Sequence, residues 1–522
     1  MTIKRLILFF VLTPIAILLS VSSLFGTLQE PQFQSRLELY QTNIALQAQA
    51  WQAEDSNDEN LSAIKAAILG EKPLENATRQ YQQVRQSVQT NLDKAQKQLA
   101  QSQALPLPPK PLPDAPPDTK VSPQEKQGKL QKSLQQLQKL QADLDLRLGI
   151  LQAKQEKTDT AIKIWHELQQ SAEIDPEFRE TAAVLSGIWS NPPRLLPDAQ
   201  QLINKNLDGW FRYTSLIQLY QIQQRQAAFL EVQAEQQEAA TQAVVKLALI
   251  GTIPTVTALT GLILLLFLIG QRLIKGKAAL LAQNADLPWS TPWGGETILQ
   301  VFVVGFFFMG QLFVPVLVML LPIPRPIVNV RFQALSVLVS YIMVASGALL
   351  VLYLSLKRYF PLPENWFRFR LQDRWILWGF GGYCAALPIV VVVSLINQQL
   401  WQGQGGSNPL LQLALQSQDT VALGLFFFTA AIAAPIFEEL LFRGFLLPSL
   451  TRYVPVWGAI ILSSLLFAIA HLSLSEILPL TALGIVLGVV YTRSRNLLAP
   501  MLLHSLWNSG TLLSLFVLGS GN

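Results

Sequence analysis

The sequence predicts an all-α fold: a polytopic bundle of transmembrane helices with an N-terminal helical domain outside the membrane. Three observations predict it. Half of the 522 residues are hydrophobic and only 14% are charged, against about a quarter charged in soluble proteins. The apolar residues gather into long uncharged runs near the N-terminus and from about residue 244 to the end. Runs of about 18 or more such residues are long enough to cross a hydrocarbon core about 30 Å thick. Between them, residues 28–243 are polar, Gln-rich and helical in pattern.

Residues 6–26 form the first apolar run and follow Lys4 and Arg5. No Ala-x-Ala site follows, and the run is long for the apolar part of a signal peptide. The segment 1–27 therefore reads as an uncleaved signal anchor, with a cleaved signal peptide as the alternative. Residues 105–123 are proline-rich and predict an extended linker. Beyond it, Leu130, Leu134, Leu137, Leu144, Leu148 and Leu151 alternate at four and three residues, with Gln141 in the one missing position. That spacing is an a/d seam over about three heptads. It predicts an amphipathic helix packed in a bundle, a coiled-coil dimer being the sharper alternative. Leu148 to Asp175, with Ala161 and Trp165, faintly resembles one tetratricopeptide repeat. A single copy cannot build a solenoid, so a helical hairpin is expected. Residues 205–243 read as one long helix running into the next span.

Further spans are expected at 244–270, 297–321, 334–356, 374–396, 420–442, 456–472, 477–491 and 497–518, about nine with the first. The positive-inside rule orients them. Arg272, Lys275 and Lys277, then Lys357, Arg358, Arg368, Arg370 and Arg374, then Arg493 and Arg495 fall in alternate loops, and the loop 397–419 holds no lysine or arginine. This places the N-terminus in the cytoplasm and the polar domain outside it. Only Arg325 and Arg331 lie on the disfavoured side. The chain is expected to be an integral, multi-pass protein of a plasma or thylakoid-type membrane. Its net charge of +5 reports these loops. With no basic aromatic patch, no nucleic-acid partner is expected. The one cysteine, Cys384, excludes an intrachain disulfide and reads as packed core, because a thiol in an apolar helix is a poor nucleophile.

Ionisable residues inside spans are expensive and point to function. The run 421–437 ends in Glu438-Glu439-Leu-Leu-Phe-Arg443-Gly. Adjacent carboxylates diverge by about 100° on a helix, and Arg443 lies four residues after Glu439, suited to an ion pair. Glu438 is left among apolar groups, the setting in which a carboxylate acts as a general base near neutral pH. Alone, the pair could equally snorkel to the headgroups. The chain has three histidines. His166 reads as a surface residue of the polar domain. His471 closes Phe467-Ala-Ile-Ala-His471, and His504 precedes Asn508 by one helical turn. Each alone could be a polar contact between helices. Together, three spans each bring an ionisable group, and a histidine and asparagine on one face can donate to an oxyanion.

These residues carry a resemblance. EELLFRG, FAIAH and HSLWN resemble, in order, the Glu-Glu-x-x-x-Arg, Phe-x-x-x-His and His-x-x-x-Asn motifs of the CPBP intramembrane proteases, the CAAX-protease and bacteriocin-processing family. The resemblance covers about residues 370–518, a protease domain preceded by additional spans at 244–369. It implies a CAAX prenyl protease-like endopeptidase acting on a membrane-embedded protein or peptide. By the same resemblance, Glu438 would activate water and His471 assist. His504 and Asn508 would hold the oxyanion, Arg443 would pair with and position Glu439, and Phe467 would pack beside the site. No cofactor is favoured. Glu438, His471 and His504 could alternatively form a two-His-one-Glu zinc set, although the His-Glu-x-x-His motif of zincins is absent. Two other readings compete: a non-catalytic scaffold or immunity-type protein of the same fold, and a transporter, disfavoured because no internal repeat is seen. The leucine seam in 28–243 could bind a protein partner. A depth problem remains at this stage, because a span starting at 456 would carry His471 about 24 Å away from its start. The span is expected to start later, near Ser463, rather than follow a re-entrant piece at 444–458.

Overall fold

The computed structural model describes residues 2–29, 33–52, 72–104, 123–321, 327, 329–401, 404–407 and 419–519. The expected linker at 105–123 lies outside them except for Pro123, which opens a helix. The chain divides into two compact units. Leu37–Leu249 form one; Met1–Arg36 and Ile250–Gly521 form the other. The boundary at Leu249 falls inside the 50-residue helix Gln226–Lys275.

The first unit is a helical bundle. Its helix Pro123–Lys154 packs on Pro73–Ala104 and on Thr158–Gln170. The seam leucines Leu144, Leu148 and Leu151 are buried, and so are Leu146 and Ile150 on the other side of the same helix. Leu134 and Leu137, half-buried, pack against the same core. The charged groups that enter this core do so in partnership. Arg147 bonds Asp143 at 3.0 Å and Asp208 at 2.8 Å, and Arg85 pairs with Asp145. Burial pushes the Asp145 carboxyl up, and the bond from Arg85 opposes that shift. The hairpin expected over 148–175 is built from the end of Pro123–Lys154 and Thr158–Gln170, and Thr158–Gln170 forms a further hairpin with Pro176–Trp189. Asp175 starts its second helix, accepting from Glu177 N, with Pro176 in the first turn, where a missing N–H costs nothing. Trp165 is fully buried and its Nε1 donates to Leu146 O at 3.2 Å. His166 is exposed, as read.

The single long helix expected over 205–243 is instead broken twice. Ala199–Asn206, Gly209–Ile222 and Gln226–Lys275 are separate helices. Gly209 sits at φ +48° and Gln224 at φ +55°, left-handed conformations that end a right-handed helix.

Among the described residues, eight helices are long and apolar enough to cross a membrane: Ile3–Gly26, Gln226–Ala278 (which starts in the first unit), Gly295–Met319, Val330–Tyr359, Trp375–Trp401, Thr420–Leu450, Leu474–Ser494 and Leu498–Gly519. They are numbered here as spans one to eight. The expected span at 456–472 is corrected. It is a 14-residue helix, Val456–Ile469, about 21 Å long, which is too short to count with the others. Nor does it begin near Ser463. Pro455 stands at its N-cap, where the fixed φ and absent N–H of proline favour a helix start.

Span six also runs further than expected, to Leu450 rather than 442. Glu438 is therefore well inside a span and not at its end. The chain climbs about 18 Å from Glu438 to Leu450, turns, and descends about 22 Å from Val456 to His471. The return journey brings His471 back to the level of Glu438, which resolves the depth problem.

The basic loops meet at one end of the second unit. Leu497 N donates to Arg368 O at 3.0 Å, Asn284 Nδ2 to Arg493 O at 3.0 Å, and Trp289 N to Thr451 Oγ1 at 3.1 Å. Arg331, on the disfavoured side, is matched by Asp419 at 2.7 Å. Cys384 is buried and free.

Candidate active site

The site is prepared by a proline. Pro435 cannot donate to the carbonyl four residues earlier, and the preceding stretch Phe428–Ala433 is a π-helix. Both effects free carbonyls that lipid could not satisfy. Span eight supplies the donors. Ser505 Oγ donates to Ala431 O at 2.6 Å and Asn508 Nδ2 to Ala430 O at 2.7 Å. Asn508 therefore fastens span eight to the segment that presents Glu438, with one amide hydrogen engaged there. A second π-helical stretch, Leu440–Leu446, directly follows the two glutamates, a local geometry that recurs at functional sites.

The adjacent carboxylates separate as their divergence predicts. Glu439 is fully buried, and its Oε1 accepts from Arg443 Nη1 at 2.8 Å and from His504 Nδ1 at 2.9 Å. Arg443, also fully buried, donates further to Gly484 O at 3.2 Å and lies 4.5 Å over the Phe467 ring. Charges buried this deeply persist only when paired and hydrogen-bonded. Glu438 faces the other way and keeps 16% side-chain exposure. Its Oε1 accepts from the Tyr341 hydroxyl at 3.1 Å, and its Oε2 stands 3.9 Å from His504 Nε2.

The histidines are oriented from behind. His471 Nδ1 lies 2.8 Å from Phe467 O. A carbonyl only accepts, so Nδ1 carries the proton and the neutral ring presents an Nε2 lone pair. His504 Nδ1 likewise addresses the Glu439 carboxylate, leaving Nε2 toward Glu438. Phe467 packs edge-on against both rings, at 4.9 Å to His471 and 5.7 Å to His504. Glu438, Tyr341 and His471 line one cavity of about 330 Å³, whose other walls are largely apolar, five of them phenylalanines, with Gln311 and Ser20 among them. Ser20 comes from span one. That span is tied in by Arg5 to Glu296 at 2.7 Å, by Lys4 to Gln300 at 3.0 Å, and by Leu474 N donating to Thr27 Oγ1 at 3.3 Å.

Two neighbours of the site are not specified by the motifs: Tyr341 lies outside them, and Ser505 fills a variable position of the third. Proline four residues after Ala431 is a signal that a hydroxyl such as Ser505 is needed. A tyrosine in a span gives no comparable signal. Among the described residues, no three His, Cys, Asp or Glu side chains gather in a way that could hold a metal ion. The alternative zinc set of Glu438, His471 and His504 is not assembled in this arrangement.

The type II CAAX prenyl endopeptidase Rce1-like family matches residues 420–510, which span all three motifs. Among curated proteins, the chain is 28% identical over 134 residues to the "Putative membrane peptidase YdiL" of Bacillus subtilis (strain 168), covering 26% of this chain and 54% of that one. It is 27% identical over 139 residues to the membrane-embedded CAAX protease MroQ of Staphylococcus aureus (strain USA300), covering 26% and 55%. It is 41% identical over 81 residues to an uncharacterized 24.3 kDa protein of Escherichia coli, covering 15% and 37%. The chain thus spans about half the length of the first two relatives. No solved structure matches it.

Proposed function

The chain belongs, through residues 420–510, to the CAAX prenyl endopeptidase-like family of membrane proteases, and on that premise we propose that it is an intramembrane endopeptidase in which Glu438 activates the attacking water. One observation carries the reading. Glu438 and His471 line one cavity, and His504 Nε2 stands 3.9 Å from Glu438 Oε2, so three segments distant in sequence bring ionisable groups together in a largely apolar interior. A water within reach of Glu438 Oε2 gives up a proton to that carboxylate as its oxygen adds to the scissile carbonyl. Tyr341 holds the opposite oxygen and fixes the carboxylate plane. The His471 Nε2 lone pair can hold a proton on the way to the leaving amine. His504, clamped by Glu439 through Nδ1–H, turns Nε2 to the reacting centre, where the ring in its doubly protonated form donates Nε2–H to the developing oxyanion. Asn508 retains its second amide hydrogen for the same purpose. The apolar walls suit a membrane-embedded protein or peptide. The mechanism is written without a metal, and zinc on Glu438, His471 and His504 is the alternative that the chelator arm of the test decides. We also assign the helical unit within 28–243 a role in recruiting a protein partner.

The test uses the full-length protein in vesicles with a fluorogenic transmembrane or CAAX-type peptide. Wild type is expected to cleave with and without chelator, while Glu438→Gln is inert. Loss of cleavage on chelation with recovery on adding zinc would replace this reading with the zinc set. Equal cleavage by both proteins would remove Glu438 from the chemistry.

A further inference from the structure

A second cavity, of about 560 Å³, opens at the end of the membrane unit where the basic loops meet. Four arginines line it: Arg368, Arg374, Arg493 and Arg495. In the sequence they serve only as topology signals. In the fold, two segments distant in sequence bring them around one space, which residues from 283–288 also line.

The two innermost are deeply buried, Arg493 at 3% and Arg495 at 9% exposure; their hydrogen bonds all go to neutral groups, and the Asp286 carboxylate acts on Arg493 only from beyond ion-pair distance. Arg493 Nε donates to Leu281 O at 2.6 Å and Nη1 to Thr492 Oγ1 at 3.0 Å. Arg495 donates to Thr492 O at 3.2 Å and to Leu287 O, and stacks 3.5 Å over Trp289. Arg368 bonds Asn365 Oδ1 at 3.0 Å, while its buried Nε has no protein partner. Among the described residues none of the four forms an ion pair. The one carboxylate in the lining, Asp373, makes no salt bridge to them. Burial holds the Arg495 guanidinium below its ordinary range, at about 10, with Arg493 beside it contributing. Removing a cation from water without a counter-charge is costly, and here the cost is repeated around a space of ligand size.

Trp375 and Trp378 also line the cavity. They stand in the first turn of span five, and tryptophans at span ends mark the headgroup level. Guanidinium forks at that level match phosphate oxygens in geometry and charge.

We propose that this cavity binds a phosphate-bearing anion that neutralises the arginine cluster. The phosphate belongs either to an anionic lipid headgroup or to a free phosphate, and the experiment separates the two. The full-length protein is placed in nanodiscs of phosphatidylcholine alone or with phosphatidylglycerol. Thermal unfolding and the phosphatidylglycerol retained after delipidation are then measured. In a separate arm, inorganic phosphate is titrated in phosphatidylcholine at constant ionic strength. Arg368→Gln with Arg374→Gln tests the rim of the cavity, where Arg368 is half-buried and Arg374 exposed. Asp373→Asn tests the opposite change.

For a lipid ligand, phosphatidylglycerol raises the unfolding temperature and is retained. Retention falls roughly fivefold for each rim arginine removed and rises in Asp373→Asn. For a free phosphate, inorganic phosphate alone raises the unfolding temperature of wild type, and the rim variant loses that response. Absence of any shift or retention in wild type overturns the proposal. So does an equal response in wild type and both variants, which would leave the arginines a solvated face with a purely topological role.

Discussion

Replacing Tyr341 by phenylalanine removes one hydroxyl from the candidate active site and little else. The ring packs edge-on against Phe437, with centroids 6.0 Å apart at 85°, and phenylalanine preserves that contact. What disappears is the 3.1 Å bond to Glu438 Oε1. A hydrogen bond to a charged acceptor contributes about 1.5–3 kcal/mol, and each 1.36 kcal/mol is about tenfold in rate. If Tyr341 orients the carboxylate that activates water, Tyr341→Phe should lower kcat/KM by about 10- to 150-fold. The unfolding temperature should stay close to wild type. The assay is initial-rate cleavage of a fluorogenic membrane peptide by vesicle-reconstituted protein, with thermal unfolding measured on the same preparation. Cleavage within about twofold of wild type by a well-folded Tyr341→Phe protein would refute the positioning role. It would show that the orientation of Glu438 is set by its helix alone.

Other outcomes follow from the same structure. Arg443→Met leaves the buried Glu439 carboxylate without its guanidinium, and should destabilise by about 3–5 kcal/mol. Glu439→Gln combined with Arg443→Met should recover part of that loss in a denaturation cycle. Asp419 accepts from Ala422 N at 2.9 Å and from Arg331 at 2.7 Å, in that order of effect, and its carboxyl is held below the usual range. A depressed acid stabilises the fold above its unfolded pKa, and the contribution is lost as pH falls below about 4. Asp419→Asn should therefore flatten that part of the acid limb in thermal unfolding measured against pH. Gly149→Ala would place a methyl 2.3 Å from Trp165 Nε1, and should lower the thermal stability of the helical bundle by about 1–3 kcal/mol.

The residues of the site were legible because charge and imidazole are so rare in this half of the chain. Glu438, Glu439, Arg443, His471 and His504 stand out against apolar neighbours, and four-residue spacing already pairs Glu439 with Arg443. Less visible was which partner comes from which helix. His504 reaches Glu439 through Nδ1 and Glu438 only through Nε2, a tertiary fact that no periodicity encodes. Tyr341 escaped because a tyrosine in a span is ordinary, and its importance lies in a neighbour 97 residues away. Asn508 was expected on the oxyanion. Its engaged hydrogen goes to Ala430, a need that Pro435 announces in the sequence. Span boundaries failed where hydropathy continues past the helix. The apolar run goes on through Leu472, but the helix stops at Ile469 and Leu472 sits at φ +54°. In the polar domain, the overlooked break at Asp208–Gly209 was written in residue types that favour turns.

The short helix Val456–Ile469 has a consequence for the lipid around it. At about 21 Å it falls about 9 Å short of a 30 Å hydrocarbon core. Hydrophobic mismatch of that size is relieved by local thinning of the bilayer or by headgroups drawn inward. Either response brings the aqueous boundary toward the end of the helix, which is where His471 lies. The thickness of the host membrane is thereby coupled to the hydration of the cavity, and a thinner bilayer is the one in which water reaches Glu438 most readily.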